Sequence, residues 1–193
     1  MTANLEKDFT EVTFHGRGGQ GAITASNLLC AFAFEEGYND VLDIPKIGAE
    51  RRGAPIQAFS KLSKEKEIKD FCAIKSADYT LVFDFTLLDI PSVATSLKGT
   101  VIINAPDFVD LDCIAHVKAI WLVDATNIAI NNNLMISGYP ILNTLMLGAY
   151  AKVTGQYTLE TMKKVLNQRF GSRGEQNYIA AKEAFESVKK VRG

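Results

Sequence analysis

The sequence predicts a Rossmann-like, doubly wound α/β domain, with a mostly parallel sheet and helices on both faces. Three observations carry that prediction. Short runs rich in β-branched and aromatic residues alternate with helical patterns along the chain. The runs at 79–83, 100–103 and 120–123 are continuous rather than alternating, as in parallel strands buried on both sides. A glycine-rich turn separates the first strand from the first helix, where doubly wound folds build their ligand crevice.

The elements follow in order. Thr10 to His15 alternates through Val12 and Phe14 and reads as a strand. From Ala22 to Glu36 one helical face carries Ala22, Ala25, Leu29 and Phe32, and another carries Ile23, Cys30 and Phe34. Such a helix is apolar nearly all round and should be covered on more than one side. Val41 to Ile44, ended by Pro45, predicts a second strand, and Ile56, Ala58, Phe59 and Leu62 predict a third before the charged turn at 64–70. Helices are expected at 87–97, at 140–153 with Pro140 in the first turn, at 158–169 behind an N-cap Thr158, and at 175–191.

Size and composition narrow the function. At 193 residues, 47% hydrophobic and 22% charged, the chain suits one domain over 1–193 whose core needs neither metal nor disulfide. Lysine plus arginine (21) nearly balances aspartate plus glutamate (22), giving a formal charge of −1, so no basic field invites nucleic acid or anionic lipid. Cys30, Cys72 and Cys113 form no CxxC pair and read as reduced core residues, which leaves no cradle for zinc or an iron-sulfur cluster. His15 and His116 lack a second ligand at helical spacing. The first eleven residues carry Glu6, Lys7, Asp8 and Glu11 without an apolar core, so no signal peptide and a cytoplasmic location are expected. The uncharged stretch 125–151 is interrupted by asparagines and Pro140, far short of the roughly 20 apolar residues that span a bilayer.

Two clusters carry chemistry. Gly16, Arg17, Gly18, Gly19, Gln20 and Gly21 satisfy G-x-G-x-x-G between strand and helix, where backbone N–H groups and a helix N-terminus can receive a phosphate. The same residues also suit a tight turn packed against a partner. Asp43 stands about where a ribose-binding carboxylate would complete a dinucleotide site, so an NAD-binding dehydrogenase domain is one alternative and a pure scaffold another. The second cluster is the loop Gly48-Ala49-Glu50-Arg51-Arg52-Gly53-Ala54-Pro55. Its two arginines, beside Arg17, could fork onto phosphate or carboxylate, or face water in a charged turn. His15 reads as a packed strand histidine. No nucleophile elbow, carboxylate pair or Walker loop is present, so no catalytic residue is expected and the chain reads as part of something larger.

The stretch from Phe14-His15-Gly16 through Gln20-Gly21-Ala22-Ile23-Thr24-Ala25, followed by Ile47 with the second cluster and Ile56, resembles the gamma subunit of 2-oxoacid:ferredoxin oxidoreductases, closest to the pyruvate type. The segment Gly138-Tyr139-Pro140-Ile141-Leu142-Asn143-Thr144-Leu145-Met146-Leu147-Gly148-Ala149 is similar to that family's glycine-to-helix segment. The resemblance implies a heteromeric complex of alpha, beta, gamma and delta chains. Such a complex converts pyruvate and coenzyme A to acetyl-CoA and CO2 while reducing ferredoxin, or runs the reverse. It implies thiamine diphosphate between alpha and beta, iron-sulfur clusters in beta and delta, and a gamma chain that is inactive alone. The convergence of helix-terminus N–H groups with Arg17, Arg51 and Arg52 leads us to expect that the Gly16 to Gly21 loop with Arg51 and Arg52 lines an anion pocket near the complex's active site, with coenzyme A phosphates a candidate ligand, or a subunit contact. The 2-oxoacid is selected on other chains.

Overall fold

Val12 and Phe14 turn to one face of a strand whose other residues turn away, and the remaining elements assemble on that alternation. The computed structural model describes residues 9–46, 53–72 and 74–193. β1 (Thr10–Arg17) leads into α1 (Ala22–Glu35), followed by β2 (Asp40–Lys46), β3 (Pro55–Ser63) and β4 (Tyr79–Val82). A 3-10 turn (Phe85–Asp89) precedes α2 (Pro91–Ser96), β5 (Thr100–Asn104), β6 (Ala119–Val123) and α3 (Ala125–Asn131). The short strands β7 (Met135–Ile136) and β8 (Tyr139–Pro140) form a separate hairpin. Then come α4 (Asn143–Thr154), α5 (Leu159–Phe170), α6 (Gly174–Ser187) and β9 (Lys189–Arg192).

The main sheet runs in the order β2-β3-β1-β4-β5-β6-β9. β1, β4, β5 and β6 pair in parallel, β3 runs antiparallel between β1 and β2, and β9 runs antiparallel to β6. The mostly parallel sheet with both faces covered is therefore present. Leu81 and Ile102 face the cluster built with α1, α4, α5 and α6, whereas Val82, Val101 and Ile103 face the one built with α2 and its neighbouring turns. Double coverage is why these strands read as unbroken apolar runs. α1 packs on the sheet and on α4 and α5, as its all-round apolar pattern requires, although Phe34 stays 68% exposed. The approach of α4 to α6 depends on Gly148, where a Cβ would fall 2.0 Å from the Ala181 carbonyl oxygen.

Several elements differ from expectation. The helix expected at 87–97 is divided, because Pro91 at the first turn of α2 cannot donate back to the preceding turn. Pro140 lies in β8 and α4 begins only at Asn143: Ser137 (φ 50) and Gly138 (φ 80) adopt the left-handed pair of a type I′ hairpin turn, which draws Tyr139 and Pro140 into a strand. α3 was not anticipated within the uncharged stretch. The last helix stops at Ser187, and a lysine-bearing strand closes the exposed edge of β6. β2 continues past Pro45 because it is an edge strand, where a missing N–H breaks no ladder bond. Only Cys30 is buried; Cys72 and Cys113 lie exposed on connections, so two of the three cysteines are not core residues. Among the described residues no helix is long and apolar enough to cross a membrane, and no group of His, Cys, Asp and Glu could hold a metal ion.

Candidate functional site

The glycine loop is shaped by close approach. A Cβ at Gly16 would fall 2.9 Å from the Ala22 Cβ, so that position lets strand and helix close. Gly21 (φ 84) is the left-handed N-cap of α1, and a side chain there would press on Asn143. No side chain caps α1 and no acid stands in its first turn, leaving its first N–H groups and positive dipole end to whatever enters. Beside it opens a cavity of about 490 Å³, with residues 18–21 and Thr24 on one wall and Ile136, Tyr139 and Ile141 on the other. Among its described lining residues none is charged.

The second cluster ends against this loop. The Gly18 amide donates to the Ala54 carbonyl at 2.9 Å, and the Gly53 amide returns to the Gly18 carbonyl at 3.1 Å. Arg51 and Arg52, with Gly48, Ala49 and Glu50, lie outside the described residues. Arg17 does not open toward the cavity. Its Nε donates to Asp84 Oδ2 at 3.0 Å, Nη2 to the Thr86 hydroxyl at 2.7 Å, and Nη1 to the Gly53 carbonyl at 3.3 Å.

Asp84 organises this corner. It lies two residues past the end of β4 and accepts four hydrogen bonds: from Arg17 Nε, from Gln20 Nε2 at 3.1 Å, and from the Thr86 amide and hydroxyl at 3.0 and 2.6 Å. Gln20 reaches back as well, its Oε1 accepting the Arg17 amide at 2.8 Å. Burial pushes the Asp84 carboxyl up, but the hydrogen bonds from Thr86 and Gln20 and the Arg17 charge outweigh it and hold it below the usual carboxylate range. The corner lies at the topological switch point. The helix after β1 covers one face and the turn and helix after β4 cover the other, so the crevice opens between these two strand ends. Sequence reasoning missed Asp84 and Thr86. The available signal was an aspartate ending a buried strand with a hydroxyl residue two positions on, a capping pattern.

Two neighbouring residues are settled by burial. His15 is 3% exposed, and burial, aided by the charge of Lys46, lowers its pKa from 6.5 to about 4, so the imidazole is neutral near pH 7. It is the packed strand histidine expected. Asp43 does not hold a ribose. It sits in mid-strand, accepts the Ser26 hydroxyl at 2.5 Å and the Asn27 amide at 3.4 Å, and stands on a strand separated from β1 by β3. Two strand spacings put β2 about 10 Å from the glycine loop's strand. The antiparallel β3, inserted where a dinucleotide fold has a parallel neighbour, removes the carboxylate from reach.

Comparison with known proteins adds a family. A family model for pyruvate ferredoxin/flavodoxin oxidoreductase matches residues 11–187. The pyruvate synthase subunit PorC of Methanothermobacter thermautotrophicus is 40% identical over 187 residues, 94% of this chain and 97% of its own. The common gamma subunit of pyruvate/ketoisovalerate oxidoreductases of Thermococcus kodakarensis is 43% identical, covering 92% and 96%. The crystal structure of pyruvate oxidoreductase subunit PORC from Thermotoga maritima superposes with a TM-score of 0.78 at 33% identity, over 95% of this chain and 99% of that one. The fold recurs within a longer chain of 2-oxoglutarate:ferredoxin oxidoreductase from Magnetococcus marinus, with a TM-score of 0.72, 22% identity and 30% of that chain covered. Because that family model spans residues 11–187 and the two relatives are 40% and 43% identical over more than nine-tenths of both chains, this chain belongs to the pyruvate ferredoxin/flavodoxin oxidoreductase family.

Proposed function

We propose that the chain serves as the gamma subunit beside alpha, beta and delta chains in a complex that oxidatively decarboxylates pyruvate or a related 2-oxoacid with coenzyme A and passes the electrons to ferredoxin, or runs the reverse. Thiamine diphosphate and the iron-sulfur clusters belong to the other chains. A cytoplasmic setting, where thiols stay reduced, suits cysteines that are all free.

Within that complex the joint site of Gly16, Arg17, Gly18, Gly19, Gln20 and Gly21 with Arg51 and Arg52 receives an anionic group, the coenzyme A phosphates first among candidates, or the surface of a neighbouring subunit. The observation that carries this reading is the reciprocal backbone pairing of Gly18 with Gly53 and Ala54, which docks the end of the arginine segment onto the glycine loop. The described residues fit such a ligand in part. The uncapped start of α1 suits a phosphate, and Ile136 and Tyr139 suit an apolar arm. Coenzyme A would supply the thiol that accepts the acyl group. Arg17, neutralised by Asp84, contributes through position rather than free charge. Cation contact with the ligand falls to Arg51 and Arg52.

The test is Arg51→Glu in the reconstituted complex. Reversing a charge at a phosphate contact should raise the coenzyme A KM by about tenfold or more, or prevent assembly seen by size exclusion. Unchanged KM and unchanged assembly would overturn the site reading. The isolated chain should turn over no 2-oxoacid.

A further inference from the structure

Asp84 does not itself line the glycine-loop cavity, yet the loop's two sides both return to it. Through Gln20 it holds the glycine turn, since the same amide side chain donates to Asp84 and accepts the Arg17 amide. Through Arg17 it holds Gly53, because the guanidinium bound to Asp84 also grips the Gly53 carbonyl. The Gly53 amide in turn pairs with the Gly18 carbonyl. The arrangement closes a ring: Asp84, Arg17, Gly53, Gly18, and back through the turn to Gln20. A carboxylate is the side chain suited to its centre. Each oxygen here accepts two bonds, and the negative charge fixes a planar, donor-only guanidinium in one orientation.

We propose that Asp84 is the positioning residue of this site, fixing the glycine loop against Gly53 and Ala54 so that the loop is held in shape for its ligand. The inference rests on the glycine-loop reading above and adds a residue that touches no ligand itself. Thr86 completes the mount, since its hydroxyl accepts from Arg17 and donates to Asp84. Asp124 supplies the internal control, because it caps α3 through Asn127 alone.

Asp84→Asn keeps the shape and one carbonyl acceptor for Thr86 but loses the charge that orients Arg17. In the full chain, hydrogen exchange at the Gly18 and Gly53 amides should quicken about tenfold, as expected when a local closure weakens. Asp124→Asn should leave both unchanged. In the reconstituted complex Asp84→Asn should raise the coenzyme A KM about fivefold with kcat within about twofold, the split that marks lost positioning rather than lost chemistry. Arg17→Lys keeps a charge opposite Asp84 but loses the grip on Gly53, and should quicken exchange at Gly53 as well, so the idea stays open to refutation if Asp84→Asn fails to fold. Unchanged exchange in both variants would overturn the positioning role. Quickened exchange with an unchanged KM, while Arg51→Glu still raises it, would overturn the proposal and spare the site. If Arg51→Glu also has no effect on KM or assembly, the site reading fails and takes this inference with it.

Discussion

Asp84 and Asp124 stand in the same local sentence and do different work. Each stands just past a buried parallel strand, each is followed at once by a helical turn, and each accepts a backbone N–H from the first residues of that turn. There the likeness stops. Asp124 gathers only Asn127, whereas Asp84 gathers Arg17, Gln20 and Thr86 from two connections separated by more than sixty residues. The difference comes from sheet order. β4 lies beside β1 at the switch point, so its end faces the glycine loop. β6 is two strands removed, so its end faces only its own helix. Capping chemistry is local, and its elaboration into a wider hydrogen-bond network depends on which strand lies next door.

The largest way to sharpen that comparison is acid. His15, the residue directly before the loop, is buried neutral with a pKa lowered to about 4. Between the unfolded value near 6.5 and about 4 the unfolded chain binds the extra proton, so the stability His15 contributes is complete above pH 6.5 and is lost as pH falls toward 4. The loss is on the order of 3 kcal/mol. Urea unfolding across that range should be steep for the native chain and flatter for His15→Gln, while Asp124→Asn should keep the native slope. An unchanged slope in His15→Gln would locate the acid response elsewhere.

Next in size is the direct contrast. Asp84→Ala removes acceptors for four hydrogen bonds and leaves a half-buried guanidinium unpaired, for a cost of about 2 to 3 kcal/mol. Asp124→Ala removes a cap, about 1 kcal/mol. For a domain of this length each kcal/mol lowers the melting temperature by roughly 2–4 °C, so calorimetry should separate them. Equal losses would break the comparison. Asp84 also has an acid signature of its own. With its carboxyl held below the usual range, its contribution is present above about pH 4 and disappears as pH falls further, so Asp84→Asn should flatten stability in that lower window. Smallest is Gln20→Ala, at about 1 kcal/mol, since Asp84 keeps Arg17 and Thr86 when that amide is gone.

The residues themselves show where sequence reading succeeds. Thr158 announces its helix because an N-cap is a bond to an amide three positions away, and Phe14 announces its strand because alternation is local. Gly16, Gly19 and Gly21 announce a tight turn because only glycine tolerates those contacts and dihedrals. Pro140 misleads as a helix opener, since the hairpin that claims it depends on Ser137 and Gly138 turning left-handed together. Asp43 misleads as a ribose ligand, since its distance from the loop depends on β3 entering the sheet between β1 and β2. Arg17 reads as a free cation until Asp84, which no spacing rule joins to it, is brought alongside.

The sequence by itself determined the alternation of strand and helix, the doubly covered parallel core, the glycine turn and the family to which these motifs belong, because each is written in short-range pattern and composition. Only the tertiary structure decided that Arg17 is paired with Asp84, that Asp43 is out of reach, and that the Gly18 backbone pairs with Gly53 and Ala54. Those facts depend on strand order, and strand order is chosen by the burial of whole faces, which no local stretch of residues encodes.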